Sequence, residues 1–203
     1  MSGTIPNEME QAQKISEPEQ HDLDPDGDVV LVVESQNVKR FLASSKILSL
    51  ASPVFSKMLS SNFREGMQMA VSYRPTIVLH DDDPFAMKTM LGIFHHKELD
   101  EKPMTAERLA VLAIHSDKYD CVKTLKPRIF MWFHSFQSPL TVEEHGFLML
   151  AAHVFRAAEQ FLEWSGKVQS KLSPSSFAKW ESVEMLSFLP DGLRGKSPSI
   201  HFT

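Results

Sequence analysis

The chain has 203 residues, 42% of them hydrophobic, and a formal net charge of −5, which suits one soluble domain with a sizeable core and room for a small appendage. Residues 1–28 carry eight acids against the single base Lys14, so the rest of the chain is nearly neutral and offers no basic footprint for nucleic acid. A lone cysteine, Cys121, excludes an internal disulfide framework, and neither a bilayer-length apolar run nor a basic-then-apolar leader pattern appears, so the expectation is an intracellular protein, cytoplasmic or nuclear.

In chain order, residues 1–24 are polar, acidic and without apolar periodicity, which predicts a disordered tail. Pro25 and Gly27 oppose a helix just ahead of the first strand. Val29-Val30-Leu31-Val32-Val33 is a run of β-formers suited to a strand with both faces buried. A turn over residues 34–39 leads to a second extended piece, Arg40 to Ala43, and then to a short helix carrying Ile47, Leu48 and Leu50. Ser52 caps the next helix with Pro53 at its first position, and Phe55, Met58, Leu59 and Phe63 recur at helical spacing. Residues 64–75 read as a loop and Thr76 to His80 as a third strand. Asp83-Pro84 restarts a helix with Met87, Met90, Leu91 and Phe94 along one stripe.

Residues 97–103 form a charged connection with room for a short strand. Thr105 caps a helix that turns Leu109, Leu112 and Ala113 inward, with Val111 and Ile114 on a neighbouring flank. Residues 117–121 mark a joint to a helix of Val122, Leu125, Ile129 and Phe133, which Pro127 is expected to kink or split. Thr141 and Glu144 have the spacing of a capping box ahead of an amphipathic helix with Val142, Leu148, Met149, Ala152 and Phe155. A further helix over 157–164 is expected to bury Phe161 and Leu162, a weaker piece carries Phe177, Trp180 and Met185, and 190–203 is loose. The sum is an α/β (α+β) fold with a small sheet of three or more strands flanked by short helices.

The candidate chemistry is thin. His80-Asp81-Asp82-Asp83 reads as a strand end, turn and helix cap, since four adjacent residues seldom point at one ion. His95-His96 diverge by about 100° on a helix and read as a helix-end pair, one packing under Tyr119. Glu143-Glu144-His145 lacks a second histidine one turn away. Cys121 has no histidine within its own turn and reads as a buried small hydrophobe. Lys126 to Trp132 mixes bases and aromatics but reads as a core-facing helix with a solvated edge. No phosphate loop, nucleophile elbow or dinucleotide fingerprint occurs. The residues argue against an enzyme, with no cofactor, metal or small-molecule substrate; a metal-dependent hydrolase in the C-terminal helices would need convergent titratable groups that are not seen.

Asp28 ahead of the apolar strand, Phe41-Leu42-Ala43-Ser44-Ser45-Lys46-Ile47-Leu48, and Ser52-Pro53-Val54-Phe55-Ser56-Lys57-Met58 together resemble the BTB/POZ family, most closely its stand-alone members common in filamentous fungi. The resemblance implies a protein-interaction domain over 25–135, with a helical extension over 136–189. It implies protein partners: a cullin scaffold of ubiquitin ligases, with this chain as adaptor, or further copies of itself, or transcriptional regulators. The cullin face of the family corresponds to Met87–Lys97 and the helices between Thr105 and Phe133, which nominates Phe94, His95 and Met131 as anchors. In many members an Asp and a base form a charged pocket. Asp28 matches that Asp, whereas Ser45 stands at the basic position with Lys46 one residue displaced.

Overall fold

The computed structural model describes residues 19–35, 38–98, 103–137, 139–173, 176–190 and 192. The apolar run Val29–Val33 is strand β2, with Val29, Leu31 and Val33 wholly buried. It sits inside the sheet because both of its edges are paired. Leu31 lies opposite Phe41 of the antiparallel β3 (Lys39–Ala43) and opposite Ile77 of the parallel β4 (Thr76–Leu79). A fourth strand, β1 (Glu19–Asp22), runs parallel to β3 and gives the order β1-β3-β2-β4.

β1 shortens the disordered tail expected over 1–24. Residues 19–24 belong to the folded body, with His21 stacked on Phe41 at 5.2 Å and Leu23 buried; residues 1–18 lie outside the described residues. A short edge strand bonds through its backbone and turns its carboxylates to water, so it leaves no apolar period to read.

The helices are α1 (Ser45–Ala51), α2 (Pro53–Met58), α3 (Arg64–Val71), α4 (Pro84–Phe94), α5 (Ala106–Lys118), α6 (Val122–Ser135), α7 (Val142–Val154), α8 (Ala158–Lys171) and α9 (Phe177–Glu181), followed by a 3-10 turn, Glu184–Phe188. Side-chain oxygens of Ser44, Ser52, Asp83, Thr105 and Thr141 accept backbone N–H groups at the starts of α1, α2, α4, α5 and α7. Each such cap contributes about 1 kcal/mol. Thr141 and Glu144 complete the reciprocal capping box.

Several local expectations change. Residues 64–71, expected to be loop, are helix α3; Phe63 is its N-cap residue, 49% exposed, and does not continue the buried stripe of α2. Pro127 neither splits nor ends α6, which runs unbroken through it. Pro127 and Lys123, the residue four back whose carbonyl loses its partner, are both exposed, so the lost bond falls on the outer side of the helix. α7 is not amphipathic: every residue from His145 to Ala152 is buried, because α5, α8, α9 and the 3-10 turn all pack on it. α8 buries Trp164 and Val168 and leaves Leu162 71% exposed, since Trp164, Val168 and Phe161 occupy the inward arc. Residues 190–203 lie almost wholly outside the described residues, and so do 99–102, the middle of the charged connection over 97–103.

The helical segment after residue 135 shares a single hydrophobic core with the strands and helices before it. Trp180 is 1% exposed and donates its indole N–H to the Val142 carbonyl at 2.8 Å. Gly146 allows this approach: a Cβ there would meet Leu186 Cδ1 at 2.7 Å and Trp180 Cε2 at 2.9 Å.

Three helices close on non-glycine residues with left-handed backbone, His96 (φ 55°), Asp120 (φ 48°) and Arg156 (φ 57°). The following N–H groups of Lys97, Cys121 and Ala157 reach back to the Gly92, Ser116 and Ala152 carbonyls, the geometry that glycine favours. Replacing Arg156 by Gly should therefore stabilise the fold by about 0.5–1 kcal/mol in urea unfolding. In the opposite direction, Phe55→Ala should cost about 3–5 kcal/mol, because the ring is wholly buried and its removal leaves a cavity. An unchanged midpoint would refute that packing.

Candidate protein-interaction face

The C-terminal half of α1, the end of α4 and the outer side of α6 form one surface with two hollows. The larger, about 1080 Å³, lies between β1, α4 and α6, with Leu23, Phe85, Met104, Met131 and Trp132 among its walls. The smaller, about 560 Å³, lies between α1, α4 and α6 and is walled by Ile47, Leu50, Ile93, Phe94 and Pro127. Lys97 and Arg128 border both. The face is apolar because short surface helices bury only one stripe. α6 buries Leu125, Ile129 and Phe133 and leaves Phe130 59% and Met131 62% exposed. α1 buries Leu48, and Leu50, about 200° further round, is 80% exposed.

The three residues nominated as anchors occupy different places. Met131 is exposed in the wall of the larger hollow. Phe94 is only 4% exposed, a core residue whose edge borders the smaller hollow. His95 is buried beneath the surface. Its Nδ1 is 2.8 Å from the Leu91 carbonyl, and its Nε2 accepts the Ser44 backbone N–H at 3.1 Å. One ring nitrogen carries the proton and the other must be bare, so these bonds require neutral imidazole with the proton on Nδ1. Burial holds its pKa below the usual value, the opposing contribution of the Leu91 hydrogen bond being smaller. His95 is thus a clasp between the end of α4 and the start of α1, and it does not pack under Tyr119.

Tyr119 instead stacks on Phe55 at 4.7 Å and donates its hydroxyl to Asp82 Oδ2 at 2.7 Å. Lys118 Nζ donates to the other Asp82 oxygen at 2.9 Å. The string 80–83 is accordingly taken apart by the fold. His80 lies exposed beside Glu34, Asp81 turns the chain with φ 57°, Asp82 is buried, and Asp83 caps α4. The Asp83 backbone N–H donates to Nε2 of His115, a second histidine used as an acceptor at a helix start. His145 bonds its own Thr141 carbonyl one turn back. Cys121 is wholly buried, and burial pushes its thiol up to about 12, away from the thiolate form in which a cysteine acts as nucleophile or metal ligand. Among the described residues no three His, Cys, Asp or Glu side chains form a group that could hold a metal ion.

Asp28 has a different use from that of a charged pocket. Its carboxylate accepts the Ser45 backbone N–H at 2.7 Å and the Ser45 hydroxyl at 2.6 Å, two charge-assisted bonds at the first turn of α1. A serine at this position lets the carboxylate hold the helix start directly.

Residues 19–126 match the family model described as the BTB/POZ domain. The chain belongs to the BTB/POZ family. Comparison with curated proteins gives no match. The matched span opens on β1 and ends within α6, so the BTB/POZ fold here carries a helical C-terminal part, α7 to α9, that completes its core. Members of the family are generally protein–protein interaction domains, and among the described residues no helix is long and apolar enough to cross a membrane.

Leu50 is an exposed residue of this face that the nominated anchors did not include: helical spacing sets it about 200° from Leu48 without deciding which of the two is buried.

The neutral state of His95 gives stability a definite pH dependence. Because its folded pKa is depressed, the unfolded chain takes up the proton first as pH falls below the ordinary value of about 6.5. Its contribution is complete above that pH and is lost progressively until the folded pKa is passed. Urea unfolding between pH 7.5 and 5.5 should show a smaller loss of stability in His95→Gln than in the wild type; equal slopes would show that this histidine is not held neutral.

Proposed function

We propose that this chain is a non-catalytic protein-interaction module that works as an adaptor, with a cullin scaffold of ubiquitin ligases as one partner, inside the cell in cytoplasm or nucleus. The observation that carries this reading is an exposed apolar face beside two hollows, on the α4 and α6 surface of a BTB/POZ domain. Met131 is its direct anchor, since exposed apolar side chains flanked by recesses are the usual hot spots of interfaces. Phe94 and His95 support from below, one as a wall and the other by fixing the helix ends around it.

A second reading, self-association or a scaffold for transcriptional regulators, draws on the sheet. Its outer strands β1 and β4 each leave one edge unpaired among the described residues, and such edges accept strands from other chains.

The two readings part in an affinity capture from native cell extract, read by mass spectrometry, with Met131→Glu as the comparison. Recovery of a cullin by the wild type and its loss with the variant supports the adaptor reading. Recovery of the chain's own copies or nuclear regulators alone supports the scaffold. Phe94 and His95 are unsuitable for charge substitution, because both are buried and the variants would lose the fold.

A further inference from the structure

The chain as a whole is acidic, with 26 Asp and Glu against 21 Lys and Arg. Helices α1, α4 and α6 nevertheless contain no carboxylate, while carrying Lys46, Lys88, Lys123, Lys126 and Arg128. α4 packs on both α1 and α6, a Thr124 hydroxyl of α6 donates to the Ala51 carbonyl of α1 at 2.8 Å, and the three helices wall the smaller hollow. His96 and Lys97 are added at its rim by the chain reversal that ends α4. Among the described residues the lining is therefore aliphatic at the bottom and basic at the edge, with no acid in it. Asp22 and Glu98 border only the larger hollow, and Asp28 is engaged by Ser45. Neither Lys97 nor Arg128 makes an ion pair among the described residues.

We propose that the smaller hollow receives an acidic amphipathic segment of a partner protein. Apolar side chains of the segment enter between Leu50, Ile93 and Pro127, and its carboxylates lie against Lys97 and Arg128. The inference rests on the protein-interaction reading and adds the chemistry of the partner. Burial of Leu50, 80% exposed in the free chain, supplies the nonpolar contribution. The basic rim selects against basic partners and speeds encounter with acidic ones. A protein segment suits the hollow better than a nucleic acid does. Single strands bind by stacking bases on exposed aromatic faces, and the one phenyl ring here, Phe94, is buried.

The test is a selection of short random peptides displayed on their own mRNA against the full chain, repeated with Lys97→Glu/Arg128→Glu and with Leu50→Ser. All three positions are exposed, and circular dichroism melting verifies that each variant is folded; Arg128→Gln serves if the double charge reversal is not. The wild type should enrich peptides rich in Asp and Glu with apolar residues three or four apart. Their affinity should fall about tenfold or more in each variant, the scale of losing charge pairs or an apolar anchor. Enrichment of neutral or basic peptides, or equal binding of acidic ones to all variants, overturns the inference and leaves the interaction reading standing. Enrichment of no peptide by the folded chain overturns both. A labelled single-stranded RNA bound more tightly than the best peptide reassigns the face to nucleic acid. A dimer in sedimentation that Leu50→Ser dissociates shows that a second copy covers it.

Discussion

Tyr119 is buried with a hydroxyl that must find a partner, and the way it does so holds three junctions of the molecule in register. Its ring stacks on Phe55 of α2, its hydroxyl bonds Asp82 in the turn between β4 and α4, and its carbonyl accepts the wholly buried Ser52 hydroxyl at 2.6 Å. Ser52 caps α2 with the same oxygen, so one hydroxyl serves as donor to the α5–α6 joint and acceptor at a helix start. Burial, then the hydrogen bond to Asp82 and its charge, raise the phenol well above its usual range. In a low-dielectric interior each of these groups would be costly alone, and together they leave no polar atom of the set unpaired.

The same logic recurs at the helix starts beneath the interaction face. The first N–H groups of a helix lack partners within it. Here, side chains distant in the chain meet the requirement just outside or within the first turn. His95 takes the Ser44 N–H, Asp28 takes the Ser45 N–H, and His115 takes the Asp83 N–H. These bonds set where α1 and α4 begin and hence where Leu50 and Phe94 stand. The face is soft in composition, being methionine, leucine and long basic side chains, yet it is carried on rigidly tied helix ends. Adaptable side chains on hydrogen-bonded helix ends are the arrangement that the proposed binding of a partner segment calls for.

Much of the fold was legible in the residues. Caps at Ser52, Asp83, Thr105 and Thr141, the Pro53 and Pro84 starts, and the apolar run of β2 are local signals, and each led to the element found. What was not legible depended on contacts between distant parts. β1 has no apolar period, because an edge strand with acidic side chains is held by backbone bonds to β3. α3 has Phe63, Met67 and Val71 turned to solvent, so its pattern resembles neither an ordinary core helix nor a polar loop. Pro127 signals a break, but the helix passes through where the lost bond falls on its outer side.

By itself, the sequence determined the family, the central strand and the capped helices, because each of these rests on short motifs and the local preferences of backbone and side chain. Only the tertiary structure decided which apolar residues face outward. Leu50 and Met131 carry the same hydrophobicity as their buried neighbours, and their exposure follows from how few helices pack against α1 and α6. Tertiary packing likewise made a clasp of His95 and a core helix of α7. Burial is a property of what surrounds a residue, and those surroundings come from segments dozens of positions away.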